Sequence, residues 1–161
     1  MSGIDLSFVS GKEKFNYRVC AVILSEGKLL AMHDERSPYY YLPGGRVQMG
    51  ETAEAAVARE VQEELEITPE IIRPLWLNQA FFTEDVDGLH YHELCLYFLM
   101  DISHTDLLSK GEKFTLLERH HTHKFEWLPF ERLEREYFYP LFLKKEIFHL
   151  PEALTLRTEL E

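Results

Sequence analysis

The stretch from Gly45 to Ile67, GRVQMGETAEAAVAREVQEELEI, constrains the fold of this chain more than any other. Ala53, Val57, Val61 and Leu65 recur every four residues and make one apolar stripe of a helix spanning Glu51 to Leu65. Pro43, Gly44 and Gly45 stand before it as a strong chain-bending signal. Thr52 can cap the helix, as can Gly50 or Glu51, and Thr68-Pro69 makes a plausible stop. Any fold of this chain must give that stripe an apolar surface to pack on.

The same helix carries an unusual load of carboxylates. On a helical wheel Glu64 lies about 40° to one side of Glu60 and Glu63 about 60° to the other, so all three occupy roughly a third of the circumference. The apolar stripe is centred about 100° away. One edge of the helix can pack while the adjacent edge presents oxygen ligands. Glu60-Glu63 and Glu60-Glu64 are like-charge pairs one turn apart, each costing the helix roughly 0.2–0.5 kcal/mol. The pattern leaves two readings open: a divalent cation held between the carboxylates, or a solvated acidic face.

Around this helix the chain reads mostly as strands. Residues 1–14 look like a loose lead-in. Tyr17–Leu24 and Leu29–His33 form a hairpin across Ser25–Lys28, and residues 34–40 form a loop. Three strands follow the helix, over Ile71–Asn78, Ala80–Thr83 and Glu93–Asp101, the last two joined by a turn at Glu84–Gly88. Residues 103–113 read as loop and His123–Leu128 as a short strand. Pro129–Glu136 and Pro140–Leu150 read as helices with proline in the first turn. This order predicts an α/β (α+β) fold, a central mixed sheet covered by helices. The whole chain, 1–161, reads as one domain with its core over about 15–150.

Composition narrows the function classes. At 45% hydrophobic and 13% aromatic, the chain has enough apolar mass for a real core. A formal net charge of -11 argues against nucleic acid as a partner, because that affinity rests on lysine and arginine neutralising phosphates. A small phosphate-bearing ligand remains compatible, since bound divalent cations reverse the sign of a site. Cys20 and Cys95 sit in apolar runs with no metal-ligand spacing and read as reduced core thiols. No segment approaches the roughly 20 apolar residues of a membrane span, and the N-terminus has no long apolar stretch. A cytoplasmic location is the expectation, with no membrane partner. A homodimer is the commonest assembly for such a chain.

The segment Gly45 to Ile67 resembles the Nudix hydrolase signature, G-x5-E-x7-R-E-U-x-E-E-x-G-U, with U a bulky apolar residue. Gly45 is followed at that spacing by Glu51, then Arg59-Glu60, Val61, Glu63-Glu64 and Ile67. The one departure is Glu66, which stands where the signature has its second glycine. That glycine eases the exit from the helix, often at positive φ, so Glu66 is expected to carry a small steric cost there. The resemblance implies a Nudix-type α/β/α sandwich and a Mg²⁺- or Mn²⁺-dependent hydrolase cleaving a diphosphate linkage in a nucleoside diphosphate derivative. It implies Glu60 and Glu64 as metal ligands, and Glu63 as ligand or catalytic base. It further implies the carbonyl of Gly44 in the metal shell, and Arg59 bracing the glutamates through Glu51. Catalytic roles therefore fall on Glu63, Arg59 and Glu51. One more carboxylate from outside the signature is expected, with Glu93, Glu112, Glu118 and Glu126 as candidates.

Substrate contacts are less legible. Arg18, a charge inside an apolar strand, and Arg46, next to the glycine pair, are candidates for phosphate. Tyr39, Tyr40 and Tyr41, and Phe81 and Phe82, are candidates for stacking on a base, with Tyr41 and Phe82 singled out. Glu93 completes the substrate set. His120, His121 and His123 read as a flexible, partly protonated surface loop. A diadenosine polyphosphate, an ADP-sugar, a nucleoside triphosphate and a CDP-alcohol all remain open as substrates. The alternative is a non-catalytic Nudix-fold sensor of a nucleotide or metabolite. An isoprenoid diphosphate isomerase would need a suitably placed cysteine, which Cys20 and Cys95 do not offer.

Overall fold

A computed structural model describes residues 3–160. Nine strands and three short or medium helices follow one another as β1 (Ser7–Ser10), β2 (Glu13–Ser25), β3 (Lys28–His33), β4 (Gly44–Arg46), α1 (Ala53–Leu65), β5 (Glu70–Thr83) and β6 (His90–Asp101), then β7 (Lys113–Glu118), β8 (His121–Pro129), α2 (Phe130–Leu133), α3 (Leu143–Glu146) and β9 (Thr155–Leu160). The strands form one mixed sheet in the order β7-β8-β3-β2-β6-β5-β9, with β1 and β4 also paired to β2. The α+β architecture expected from the sequence is the one observed.

Strand β2 organises the site. One of its edges runs parallel to β6 from Glu13 to Ile23. The other edge is shared by three strands: β1 pairs with Glu13–Asn16, β4 with Arg18–Cys20, and β3 only with Leu24 and Ser25. Strand β3 then diverges to pair with β8. The segment from Tyr41 to Arg46 fills the opening wedge. Tyr41 exchanges backbone hydrogen bonds with Met32 at 2.8 Å, and the Pro43 carbonyl accepts from the Ala21 N–H at 2.8 Å. Gly44 then lies opposite Cys20, where a side chain would overlap the Val19 carbonyl. The glycine pair is thus an inserted strand and not simply a bend.

The alternation along β2 divides two cores. Val19, Ala21 and Ile23 face α1, packing with Val57, Val61 and Leu65. Cys20 and Val22 face the opposite layer, with Trp76, Tyr97, Phe138, Phe142 and Leu143. Each fully buried valine or leucine of α1 contributes roughly 1.5–3 kcal/mol, which fixes the helix on the sheet. Thr52 caps α1, its hydroxyl oxygen accepting from the Ala55 N–H at 3.0 Å. Glu66 ends the helix in the left-handed region, φ 58, ψ 35, its N–H bonded to the Gln62 carbonyl. The steric position expected for a glycine is therefore occupied by glutamate.

Several expectations are corrected. The lead-in is not loose from Ile4 onward, because Ile4 and Leu6 make backbone hydrogen bonds with Met49 and Val47 and Ser7–Ser10 pairs back onto β2; Met1 and Ser2 lie outside the described residues. The two strands expected before the Glu84–Gly88 turn are one, β5, with register shifts flanking Pro74, whose missing N–H breaks the regular ladder. Strand β7 begins where the expected loop 103–113 ends and runs through Glu118; Phe114 and Leu116 pack on the core from it. The C-terminal helices shrink to four residues each. Tyr137 and Tyr139 spend their backbone groups on Tyr40 instead, accepting from its N–H at 2.8 Å and donating to its carbonyl at 3.0 Å. Strand β9, beyond the expected core, pairs parallel with β5.

Candidate active site

Arg59 is the hub of the acidic segment. Its Nε donates to Glu51 at 2.7 Å and one terminal nitrogen to the other Glu51 oxygen at 3.0 Å. That same nitrogen reaches the Arg46 carbonyl at 3.0 Å. The second terminal nitrogen donates to Glu60 at 2.8 Å and lies 3.6 Å from Glu63. Glu51 in turn accepts from the Gln48 N–H at 3.0 Å. One guanidinium therefore ties the loop before α1, strand β4 and two carboxylates of the helix. Only arginine's planar fork fills that many directions at once. Glu51 beside Arg59 sits below its ordinary carboxylate value for the same reason: the guanidinium hydrogen bonds outweigh burial.

The two glycines receive the other carboxylates. Glu60 packs directly against Gly45, where a methyl group would overlap its carboxylate oxygens. Glu64 is 7% exposed and accepts from the Gly44 N–H at 2.9 Å. Burial pushes Glu60 up from its ordinary value, Arg59 pulls it back, and Glu63 and Glu118 push it further. Burial pushes Glu64 well up; the charges of Glu60 and Glu118 add to it, against the Gly44 N–H and Arg18. Buried carboxylates raised in this way gain from a cation and lose from a neighbouring anion.

Glu118 separates from the other outside carboxylates. It stands at the end of β7 and is the one of the four whose charge acts on both Glu60 and Glu64. His123 holds it, Nε2 to carboxylate oxygen at 2.9 Å. His123 is 4% exposed and lies 4.0 Å from Asp34, so His121 and His123 belong to β8 and not to a flexible loop, while His120 sits in the exposed turn before it. Glu112 instead pairs with Lys28 at 2.6 Å, and Glu126 with Arg132 and the Tyr40 hydroxyl, both at 2.8 Å. Nothing local in the sequence sets His123 apart from His120 and His121; its burial follows from the β7–β8 pairing.

The NUDIX domain family model matches residues 14–147, most of the chain. The chain belongs to the Nudix family. It is 31% identical over 87 residues to an ADP-ribose pyrophosphatase of Methanocaldococcus jannaschii, covering 52% of this chain and 49% of that protein. It is 64% identical over 28 residues to an 8-oxo-dGTP diphosphatase of Escherichia coli, covering 17% of this chain and 22% of that one. The matched part thus spans about half, or less, of these curated relatives. A solved MutT protein from Bacillus halodurans shares the fold, with a TM-score of 0.58 at 17% identity over 89% of this chain and 90% of the other.

Within this Nudix domain the substrate candidates separate. Arg18 lies opposite Arg46 on β4 and Cys95 on β6. Burial alone would lower its pKa, but the charges of Glu93, Cys20, Cys95 and Tyr97 together more than offset this. Glu93 also accepts from the Asn16 amide at 3.4 Å. The Arg46 side chain points to Asp5 at 3.7 Å. Tyr41 gives its hydroxyl to Asp34 at 3.2 Å and so is tied rather than free to stack. Phe82 stacks on Tyr91 at 4.9 Å, opposite Lys14 on the sheet and so about 13 Å along β2 from Arg18. The fold does not bring Phe82 to the glutamates.

Glu60, Glu63 and Glu64 offer only carboxylate oxygens, hard donors that suit Mg²⁺ or Mn²⁺. The raised pKa values of Glu60 and Glu64 fit a divalent cation. Their oxygens are drawn toward Arg59, Gly45 and Gly44 rather than onto one point. Among the described residues, the group whose ligand atoms all lie within 4.8 Å is a different one, Glu70, Asp101 and His104, at the surface. Cys20 and Cys95 are free and buried, their sulfurs 3.6 Å apart. No helix among the described residues is long and apolar enough to cross a membrane.

Proposed function

We propose that this Nudix chain hydrolyses a diphosphate linkage in a nucleoside diphosphate derivative, with Mg²⁺ or Mn²⁺ as cofactor. The observation that carries this reading is the Arg59 clamp, which fixes Glu51, Glu60 and the Arg46 carbonyl around the same helix that presents Glu63 and Glu64. A catalytically retired member would have no need to keep three carboxylates crowded on one edge of α1 at their mutual electrostatic cost. The names of the two curated relatives, an ADP-ribose pyrophosphatase and an 8-oxo-dGTP diphosphatase, support the same bond type. We extend the reading to the chain as a single functional unit.

The residues divide the work as follows. Glu60 and Glu64 would hold the cation, together with Gly44 and Glu63; Glu118, steadied by His123, would add the outside carboxylate. When bound, a divalent cation offsets diphosphate charge and makes water more acidic. Glu63 is 39% exposed at its side chain and makes only a 3.6 Å contact with Arg59, which leaves it the freest of the three to take a proton from an attacking water. Gly44 and Gly45 let backbone and carboxylates approach closely where any side chain would intrude.

The test is hydrolysis of a panel of nucleotide derivatives with Mg²⁺ or Mn²⁺, read as inorganic phosphate after phosphatase treatment of the phosphomonoester products, using Glu63→Gln and Glu64→Gln as controls. Turnover by the wild type, lost in both variants, is expected. Undiminished turnover in both would sink the mechanism. Ligand binding with no hydrolysis across the panel would make the protein a sensor.

A further inference from the structure

Strand β9 closes one end of the sheet and, among the described residues, pairs only with β5. Its residues Thr155–Leu160 hold register with Trp76–Phe81 without a break. The backbone groups of its outer edge therefore face no strand. Such an edge is a template for another strand unless lysine, proline or a bulge blunts it, and the sequence TLRTEL has none of these.

One face of β9 is apolar and open. Leu156, Thr158 and Leu160 lie opposite Leu77, Gln79 and Phe81. They share the side of the sheet that carries Leu96 and Val19 beneath α1. The helix does not cover them: Leu156 and Leu160 are 64% and 78% exposed. Leu160 ends a row of side chains that crosses the sheet from β1 as Phe8, Phe15, His92 and Phe81. Ring centroids along that row are 5.5, 5.6 and 4.5 Å apart. Exposed apolar side chains in a continuous row mark a surface that a protein partner covers.

The other face of β9 carries charge. Arg157 lies over the Phe142 ring at 4.3 Å and pairs with Glu146, while its Nε is buried without a hydrogen-bond partner among the described residues. Glu159 accepts from the Asn78 amide at 2.7 Å through one oxygen. Directly opposed residues of an antiparallel pair share a face and a hydrogen-bonding direction. Two copies of β9 can therefore meet about a two-fold axis only in registers centred on a residue. Centring on Arg157 opposes two arginines, and centring on Glu159 opposes two glutamates. Centring on Thr158 sets Arg157 against the partner's Glu159 at both ends and Leu156 against the partner's Leu160. The far edge of the sheet, β7, has no such register, because Lys113 and Glu118 lie on opposite faces of their strand.

We propose that β9 is the interface for a second copy of this chain, paired antiparallel about an axis through Thr158. The apolar row then runs from Leu160 to the partner's Leu156 and on through the partner's Leu77 to its core. The interface is three strands from β2 in the sheet order, so it leaves the glutamate helix open. It is independent of the hydrolase reading.

The experiment is sedimentation velocity on the full chain at about 0.15 M salt, where screening beyond about 8 Å limits repulsion between two chains of net charge -11. A reversible dimer is expected. Arg157→Glu and Glu159→Arg each set like charges across the axis and should raise the dissociation constant about 10-fold or more. An equimolar mixture of the two variants should restore the dimer, because only the mixed pair opposes unlike charges at both positions. Thr158→Cys leaves the Arg157–Glu146 contact in place. The axis brings its Cβ within roughly 4.5–5.5 Å of its counterpart, so oxidation with diamide should link the two chains. Leu156→Cys, which faces the partner's Leu160, should stay unlinked. A wild type that remains monomeric at all concentrations overturns the proposal. So does a dimer that neither charge reversal weakens, or one in which Thr158→Cys fails to cross-link.

Discussion

The carboxylate of Glu60 lies against the Cα of Gly45, leaving no room for a methyl group between β4 and α1. The end of a glutamate side chain can rotate away, whereas the Val19 carbonyl that crowds Gly44 is backbone and cannot. Gly45→Ala should therefore fold, with Glu60 displaced. Metal affinity should fall about 10- to 100-fold, as for other changes just outside a metal's ligands. Calorimetric titration with Mn²⁺ beside a melting curve checks this. Gly44→Ala should instead lower the melting temperature markedly.

Arg59→Lys keeps the charge and loses the fork. A lysine cannot reach both Glu51 oxygens, Glu60 and the Arg46 carbonyl together. Activity should drop about 10- to 100-fold. The measurement is kcat/KM at saturating Mg²⁺. Wild-type kinetics in the lysine variant would mean that charge alone, without the clamp, suffices.

Glu66→Gly removes a side chain from a left-handed residue at φ 58. Relief of the steric cost is partly offset by a more flexible unfolded chain. The variant should gain up to about 1 kcal/mol, read from the urea midpoint at unchanged slope. Its turnover should match that of the wild type.

Glu126→Gln separates a structural carboxylate from a functional one. Glu126 is 7% exposed. Burial pushes its pKa up, but the Tyr40 hydroxyl and Arg132 more than offset this and hold it below the ordinary value. Its folded pKa is depressed, so the stability it contributes is present above the ordinary carboxylate value near about 4.3 and is lost as pH falls through the folded value. The glutamine variant should lose about 1.5–3 kcal/mol at pH 7. The gap to the wild type should narrow in acid. Denaturant melts between neutral and acidic pH check it, and hydrolysis at neutral pH should be unchanged.

The amphipathic helix, its cap candidates and the carboxylate edge of α1 were all legible in the sequence, and the positive-φ position at Glu66 through the glycine of the family signature. Each depends on residues within a turn or two, where spacing dictates geometry. The β2–β3 hairpin was legible for the same reason: Glu26 and Gly27, both at positive φ, close it in two residues. Family membership was legible too, because the signature is itself a local spacing. What only the tertiary structure decided depends on pairings between distant segments. Glu118 was one of four candidate carboxylates until β7 paired with β8 and placed His123 behind it. Tyr137 and Tyr139 read as helix flanks until their backbones joined Tyr40. Tyr41 and Phe82 were the rings singled out for stacking, and a hydroxyl bond ties the first while register carries the second away from the glutamates. A sequence states which side chains share a helix face; which strands meet, and so which charges and rings gather around that face, is settled only when the sheet closes.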